Sequence, residues 1–450
     1  MAVIAILIIG EETLLLSLLA VTSLLAIKYS KFKLFMLSKL VFKNTFLFLV
    51  LLIFSCGNSV KKIENKEESR EQRVKNKENS VSSIDSSFEA IKTGADNYKM
   101  YLPLLKEKKV GVVTNQSGIL SNNIHLVDFL LSKKIAIQKI FAPEHGFRGT
   151  SDAGEVVKDG KDTKTGLPIV SLYGNNKKPK PEQLVGIDIL VFDLQDVGSR
   201  FYTYISSLHY VMEACAENNI PLIVLDRPNP NGGIIDGPIL EEEHHSFVGM
   251  HKIPILHGMT IGEYAQMING EKWLNNSIQS KLTIIPCENY QRTMAYDLPV
   301  KPSPNLPNSQ AITLYASLCL FEGTNVSVGR GTEKQFQIYG SPYLPKSDFN
   351  FTPKPNEGAK NPLYDGKLCY GEDLTQIKKV NQLELQWLIK AYNKTSDQSK
   401  FFNAFFTKLA GTKKLQEQIE RGVSEKEIRT SWKVGLEKFK EMRKKYLIYE

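Results

Sequence analysis

Between Ala142 and Glu155 the chain reads Ala-Pro-Glu-His-Gly-Phe-Arg-Gly-Thr-Ser-Asp-Ala-Gly-Glu, which places two acid–base groups, an arginine and two further acids on one short stretch. Pro143 and the glycines at 146, 149 and 154 cannot continue a strand or a helix, so Glu144, His145, Arg148, Asp152 and Glu155 are expected on a loop after the apolar run Ile135 to Phe141. Loops at the tips of a sheet are where catalytic groups gather. The same residues could also form a hydrogen-bonded turn with one internal ion pair.

The chemistry such groups support is cleavage of a glycosidic bond. One carboxylic acid protonates the leaving oxygen, and a second group stabilises or attacks the sugar. Glu144 is the first candidate for the acid, with Asp152, Glu155, Asp196, Asp226 and Glu322 available for the second role. His145 could orient Glu144 or bind substrate. Arg148, Arg200 and Arg330 each carry a planar fork suited to a substrate carboxylate, although a structural ion pair is an equal use for any one of them. Tyr202 offers an aromatic face for a sugar ring.

Other chemistries are poorly supported. No Gly-x-Gly-x-x-Gly follows a strand and Gly329-Arg-Gly331 lacks the phosphate-loop lysine, so no nucleotide cofactor is expected. No Gly-x-Ser-x-Gly elbow occurs. His244-His245, His251 and His257 lack metal-ligand spacing, and no metal ligand is assigned. Apart from Cys56, the cysteines at 215, 287, 319 and 369 have no paired spacing and read as buried thiols.

Elements must position these groups. Apolar runs over Lys108–Asn115, Ile135–Phe141, Leu167–Tyr173, Ile187–Leu194 and Pro221–Leu225 predict strands. His125–Ser132 predicts a short helix, and Tyr204, Leu208, Val211, Met212 and Cys215 recur at helical spacing. The alternation indicates a mostly parallel α/β sheet. Polar groups follow its strands: Asn115-Gln116, Glu144-His145, Gln195-Asp196 with Arg200, and Asp226-Arg227. In a parallel sheet these strand ends share one edge, where ligands bind, so four polar clusters should converge on one rim. Beyond residue 310 the texture changes. A helical stretch from Ala311 to Phe321 leads into Glu322-Gly-Thr-Asn-Val-Ser-Val-Gly-Arg-Gly331, and the chain closes on a charged helical pattern from about Ser424 to Tyr446.

The ends carry their own information. Lys39 and Lys43 precede an apolar run from Thr45 to Ser55 that stops at Cys56, the order of a secretory signal and, with Leu52-Ile53 before Ser55-Cys56, of a bacterial lipoprotein signal. Residues 57–88 are rich in Lys, Glu, Asn and Ser and too poor in apolar groups to offset their ordering entropy, so they are expected as a disordered tether. The formal charge is +9; the segment to Ser55 holds five lysines against two glutamates, which leaves +6 on the rest. Its basic stretches alternate with glutamates and show no basic-aromatic groove, so no nucleic-acid partner is expected.

Four motifs together, Phe141-Ala-Pro-Glu-His-Gly-Phe-Arg-Gly149, Phe192-Asp-Leu-Gln-Asp-Val-Gly-Ser-Arg-Phe-Tyr-Thr-Tyr204, Leu225-Asp-Arg-Pro-Asn-Pro230 and Glu322-Gly-Thr-Asn325, resemble the bacterial exo-β-N-acetylmuramidase family of NamZ-like peptidoglycan glycosidases. Ser303-Pro-Asn-Leu-Pro307 and the closing Lys444-Lys-Tyr-Leu-Ile-Tyr449 fit in the same order. The resemblance implies a Rossmann-like sheet with helices on both faces and a smaller C-terminal α+β subdomain meeting at a cleft. It also implies removal of terminal N-acetylmuramic acid from the non-reducing end of peptidoglycan fragments, with no cofactor. The organisation expected is a leader over 1–56, a tether over 57–88, a catalytic domain over 89–309 and an auxiliary domain over 310–450. On this reading Glu144, His145, Asp196 and Glu322 are catalytic, and Asn115, Arg148, Gln195, Arg200, Tyr202, Asp226, Arg227 and Arg330 bind substrate. Arg148 is the first choice to clamp the lactyl carboxylate, and the second catalytic group is an enzyme carboxylate or the sugar's own acetamido group. Export to the cell envelope, with attachment to the membrane through lipidated Cys56, completes the expectation. Two rival functions are a non-catalytic lipoprotein that captures sugars and a metal-dependent hydrolase.

Overall fold

Ile189, Leu190, Val191 and Phe192 alternate between two separate apolar clusters, as a strand covered on both faces must. They form β5 (Ile189–Asp193), the centre of a seven-stranded sheet in the computed structural model of this chain. The structure describes residues 89–147 and 159–450, so the expected leader and tether, together with Arg148, Asp152 and Glu155, lie outside the described residues.

Around β5 lie β1 (Lys109–Thr114), β2 (Ala136–Ala142), β3 (Gly160–Lys161), β4 (Pro168–Ser171), β6 (Leu222–Leu225) and β7 (Leu282–Ile285), in the order β3-β4-β2-β1-β5-β6-β7. Every neighbouring pair is parallel except β3 with β4. From β1 the chain winds outward through β2 to β4, then returns to β5 on the other side of β1. That reversal between β1 and β5 is the switch point where open α/β sheets bind ligands. The five strands expected from the sequence are all present, and β3 and β7 at the two edges add to them.

Helices cover both faces. On one lie α1 (Tyr98–Leu105) and α2 (Leu126–Ser132), whose Tyr101, Leu105, Leu126 and Leu130 pack with Val110, Val112 and Val191. His125 caps α2 by accepting the Val127 N–H at 3.2 Å. A single turn, α3 (Pro181–Leu184), precedes β5. On the other face lie α4 (Tyr204–Glu217), at the predicted place, and α5 (Ile261–Gly270), started by a Thr260–Glu263 capping box.

The C-terminal part opens with α6 (Ser309–Leu318), capped by Asn308, and a 3-10 turn over Cys319–Gly323. It adds an antiparallel sheet of β8 (Ile338–Ser341), β9 (Asn350–Phe351) and β10 (Cys369–Asp373), with β10 central. Then come α7 (Gln386–Lys394), α8 (Phe406–Ala410), α9 (Lys414–Glu420) and the predicted terminal helix α10 (Glu425–Lys444). Of that last helix's apolar stripe, Ile428, Trp432 and Phe439 are buried but Val434 is 69 % exposed. Phe321, Phe336, Phe401, Phe406 and Trp432 join the same apolar cluster as Leu190 and Phe192, so one core runs from the sheet into the C-terminal elements. Cys215, Cys287, Cys319 and Cys369 are buried free thiols.

Candidate active site

β2 ends because Pro143 cannot continue it. The turn after it is tight: His145 and Gly146 have φ of 71° and 73°, and the Gly146 N–H donates to the Pro143 carbonyl at 3.0 Å. A positive φ is costly for a histidine, so the packing around this turn holds it there. His145 is buried, and both it and Glu144 line a cavity of about 210 Å³, the scale of a single sugar.

Two hydroxyls from different elements hold the Glu144 carboxyl. Tyr173, just past β4, donates to Oε1 at 2.9 Å, and Thr203, the residue before α4, donates to Oε2 at 2.9 Å. Tyr204 lies 3.4 Å from the Glu144 carbonyl and receives the Asn115 amide N–H at 2.6 Å. Asn115 is itself fixed by the Ser117 N–H and hydroxyl at 2.9 and 2.6 Å. Asn115 does not line the cavity, so its place is behind Tyr204 rather than against substrate. Tyr202 does line it, with its hydroxyl donated to the Pro302 carbonyl at 2.8 Å and its ring edge-on to Tyr204 and Tyr315.

The 3-10 turn after α6 brings the second carboxyl to the same cavity. Arg330 Nε donates to Glu322 Oε1 at 2.5 Å, and the Cys319 thiol lies 3.6 Å from Oε2. The guanidinium stacks over the Phe336 ring at 5.0 Å. Burial alone would lower the Arg330 pKa, but the charge of Glu322 and its hydrogen bond together outweigh that and the pKa rises, so the cation is permanent. Glu322, Arg330, Cys319 and Phe336 all line the cavity with Glu144.

Besides Asn115, five expected site residues lie away from the cavity. Arg200 is fully buried and donates to the carbonyls of Pro238, Ile253, Leu409 and Ala410 at 2.7–3.0 Å, so it cannot reach a substrate carboxylate. Arg227 makes a forked pair with Asp193, at 2.6 and 2.9 Å, which supplies the partner that a buried acid inside β5 requires. Asp226 accepts from Gly262 N–H, Thr260 and Tyr449 hydroxyls at 2.6–2.7 Å and anchors the C-terminal tail to the sheet. Burial pushes its pKa up to about 6. Gln195 spends its amide on the Asp196 and Pro228 carbonyls. Asp196 is buried, accepts the Gly198 N–H at 2.7 Å and does not line the cavity. Of the four polar clusters at the strand ends, only Glu144-His145 lines the cavity; the polar groups of the other three lock strand ends and loops to one another.

Tyr173 and Thr203 were not anticipated. Tyr173 could have been found, because it follows β4 as Glu144 follows β2; Thr203 lies between two tyrosines that draw attention away from it. Of the histidines considered for metal, His251 has both ring nitrogens committed, to Tyr264 and His209 at 2.8 and 3.0 Å. His244 falls near Glu241 and Glu243, but Glu241 is already paired with Lys414 at 2.6 Å and Thr412 at 2.9 Å.

Residues 110–310 match the N-terminal domain of the exo-β-N-acetylmuramidase NamZ, and residues 313–449 match its C-terminal domain. The chain belongs to the NamZ family. It is 40 % identical over 388 residues to the peptidoglycan β-N-acetylmuramidase NamZ of Bacillus subtilis (strain 168), covering 80 % of this chain and 91 % of that one. Two crystal structures of DUF1343 family proteins from Bacteroides fragilis NCTC 9343 are also similar. One is 46 % identical with a TM-score of 0.75 and the other 29 % identical with a TM-score of 0.68, each covering 80 % of this chain and 99 % of its own. Their likeness agrees with the parallel sheet and the small antiparallel sheet described above. NamZ membership also accounts for the ordered motifs, since those of β2, β5, β6 and the 3-10 turn supply either the cavity wall or its supports.

Proposed function

We propose that this protein is an exo-acting glycosidase that releases terminal N-acetylmuramic acid from the non-reducing end of peptidoglycan fragments. The observation that carries this reading is the meeting of two carboxyls, Glu144 and Glu322, from distant parts of the chain in one cavity of single-sugar scale. Tyr173, Tyr202, Tyr315 and Phe336 give it aromatic walls suited to a pyranose. Glu144 donates a proton to the glycosidic oxygen as the bond from the anomeric carbon breaks, and Glu322 stabilises the positive charge that develops on the sugar. Water then adds its hydroxyl to the anomeric carbon and its proton returns to Glu144. The half of the chain over 89–309 supplies the acid, and the half over 310–450 supplies the second carboxyl with its arginine.

The export reading is part of the same proposal: a signal ending at Cys56, lipidation of that cysteine and a tether over 57–88 would hold the domain in the cell envelope, where peptidoglycan fragments occur. Its support is the order of charged, apolar and small residues before Cys56. Incorporation of labelled fatty acid by wild type and not by Cys56→Ser is the expected result.

The activity is tested with a chromogenic N-acetylmuramide and the matching N-acetylglucosaminide. Release from the muramide alone, unaffected by a chelator, supports the proposal. Equal release from both, or release from neither, would end it. A wild type that binds muramide without turnover would favour the sugar-capturing lipoprotein, and loss of activity to a chelator would favour a metal-dependent hydrolase.

A further inference from the structure

Arg330 spends one donor and keeps four. Its Nε–H is bonded to Glu322, while its two terminal nitrogens have no hydrogen-bond partner among the described residues. The Phe336 ring 5.0 Å away fixes the guanidinium plane, so the open side of the fork is preorganised. No lysine or other arginine among the described residues lines the cavity. The other buried guanidiniums are committed, Arg200 to four carbonyls, Arg227 to Asp193 and Arg292 to Glu263. We infer that Arg330 is the specificity-determining residue of the site: its Nε fixes Glu322, and its terminal nitrogens receive the lactyl carboxylate that distinguishes N-acetylmuramic acid from N-acetylglucosamine. This rests on the substrate class proposed above.

The shared fork couples recognition to catalysis. A second carboxylate on the guanidinium draws part of its positive field away from Glu322, which leaves more negative potential facing the cationic transition state. A sugar without the lactyl group leaves Arg330 wholly on Glu322. Discrimination should therefore appear in binding and again in turnover.

Calorimetric titration with N-acetylmuramic acid and with its lactyl methyl ester decides the point without requiring hydrolysis. Wild type should bind the acid about 10- to 100-fold more tightly than the ester, the effect of hydrogen bonds to a charged group. Arg330→Gln should bind both alike, and Arg330→Lys, which keeps the charge but not the fork, should fall between. A wild type that binds acid and ester equally overturns the inference whether or not any variant folds. So does Arg330→Gln that keeps the wild-type preference, since the carboxylate would then be read elsewhere. Chromogenic turnover is scored separately: its absence removes the glycosidase reading, while acid-selective binding lost in Arg330→Gln would still stand. If Arg330 served only to hold Glu322, its loss would slow hydrolysis of the acid and the ester by the same factor.

Discussion

Thr203 Oγ1 lies 2.9 Å from Glu144 Oε2, so the residue that starts α4 sets the carboxyl delivered by β2, 59 positions earlier in the chain. With Tyr173 on the other oxygen, two elements distant from Glu144 in the chain hold the carboxyl plane. Removing either hydroxyl should cost about 1–1.5 kcal/mol, so Thr203→Val and Tyr173→Phe should each lower kcat by about tenfold while KM stays nearly constant. Glu144→Gln should lower kcat by about 10²- to 10⁴-fold with the fold retained. Steady-state release from a chromogenic N-acetylmuramide, with near-ultraviolet circular dichroism as the folding control, checks all three.

Arg200 ties the loop after β5 to the end of α8, whose Leu409 faces the cavity. Replacing it with methionine strands four buried carbonyls. A loss of at least about 3 kcal/mol is expected in urea unfolding. Gly411→Ala should also destabilise, because φ there is 72° and a Cβ would meet the Arg200 Nη2 at 2.5 Å.

Tyr449 donates to Asp226 Oδ2 at 2.6 Å. Burial pushes the Asp226 pKa from 3.8 up to about 6, so the folded protein takes up a proton there that the unfolded chain does not. Stability from this group is full below about pH 3.8 and is lost as pH rises through about 6. Above that pH the buried carboxylate depends on its donors. Tyr449→Phe should therefore destabilise by about 2 kcal/mol at pH 8 and by less at pH 5, as read from denaturation midpoints at the two pH values.

His209 and His251 give the opposite sign. Burial holds His209 down to about 4 and His251 well below the ordinary 6.5. Their stability is present above about pH 6.5 and is lost as pH falls toward 4, because only the unfolded chain takes the protons. Below pH 6.5 each contributes a slope approaching about 1.4 kcal/mol per pH unit. His209→Gln should flatten the decline in Tm between pH 6.5 and 5, and an unchanged slope would show that His209 is not one of the groups responsible.

Much of this architecture was legible in the sequence. Apolar runs of four to seven residues bounded by polar turns marked the central strands, and helical spacing marked α4, because burial on two faces or on one leaves a periodic trace. β3 and β7 left no such trace: two residues cannot show a period, and β7 is half exposed at the sheet edge. At the site, residue type and strand-end position point to Glu144 and His145, proximity to Arg200 points to Tyr202, and a glycine-punctuated turn after a helical stretch points to Glu322 and Arg330; all five line the cavity.

Position at a strand end does not say which way a side chain turns. Asp226, Arg227, Gln195, Asp196 and Arg200 look as chemical as Glu144 on paper, yet each is used by backbone groups or by a buried counter-ion. The sequence by itself determined the parallel sheet, its polar rim and the inventory of acids and arginines, because these follow from local pattern and residue type. Only the tertiary structure decided which of them share a cavity. That choice depends on contacts between residues as far apart as Glu144 and Glu322 and on the need to satisfy every buried polar group, and neither is encoded in any single stretch of chain.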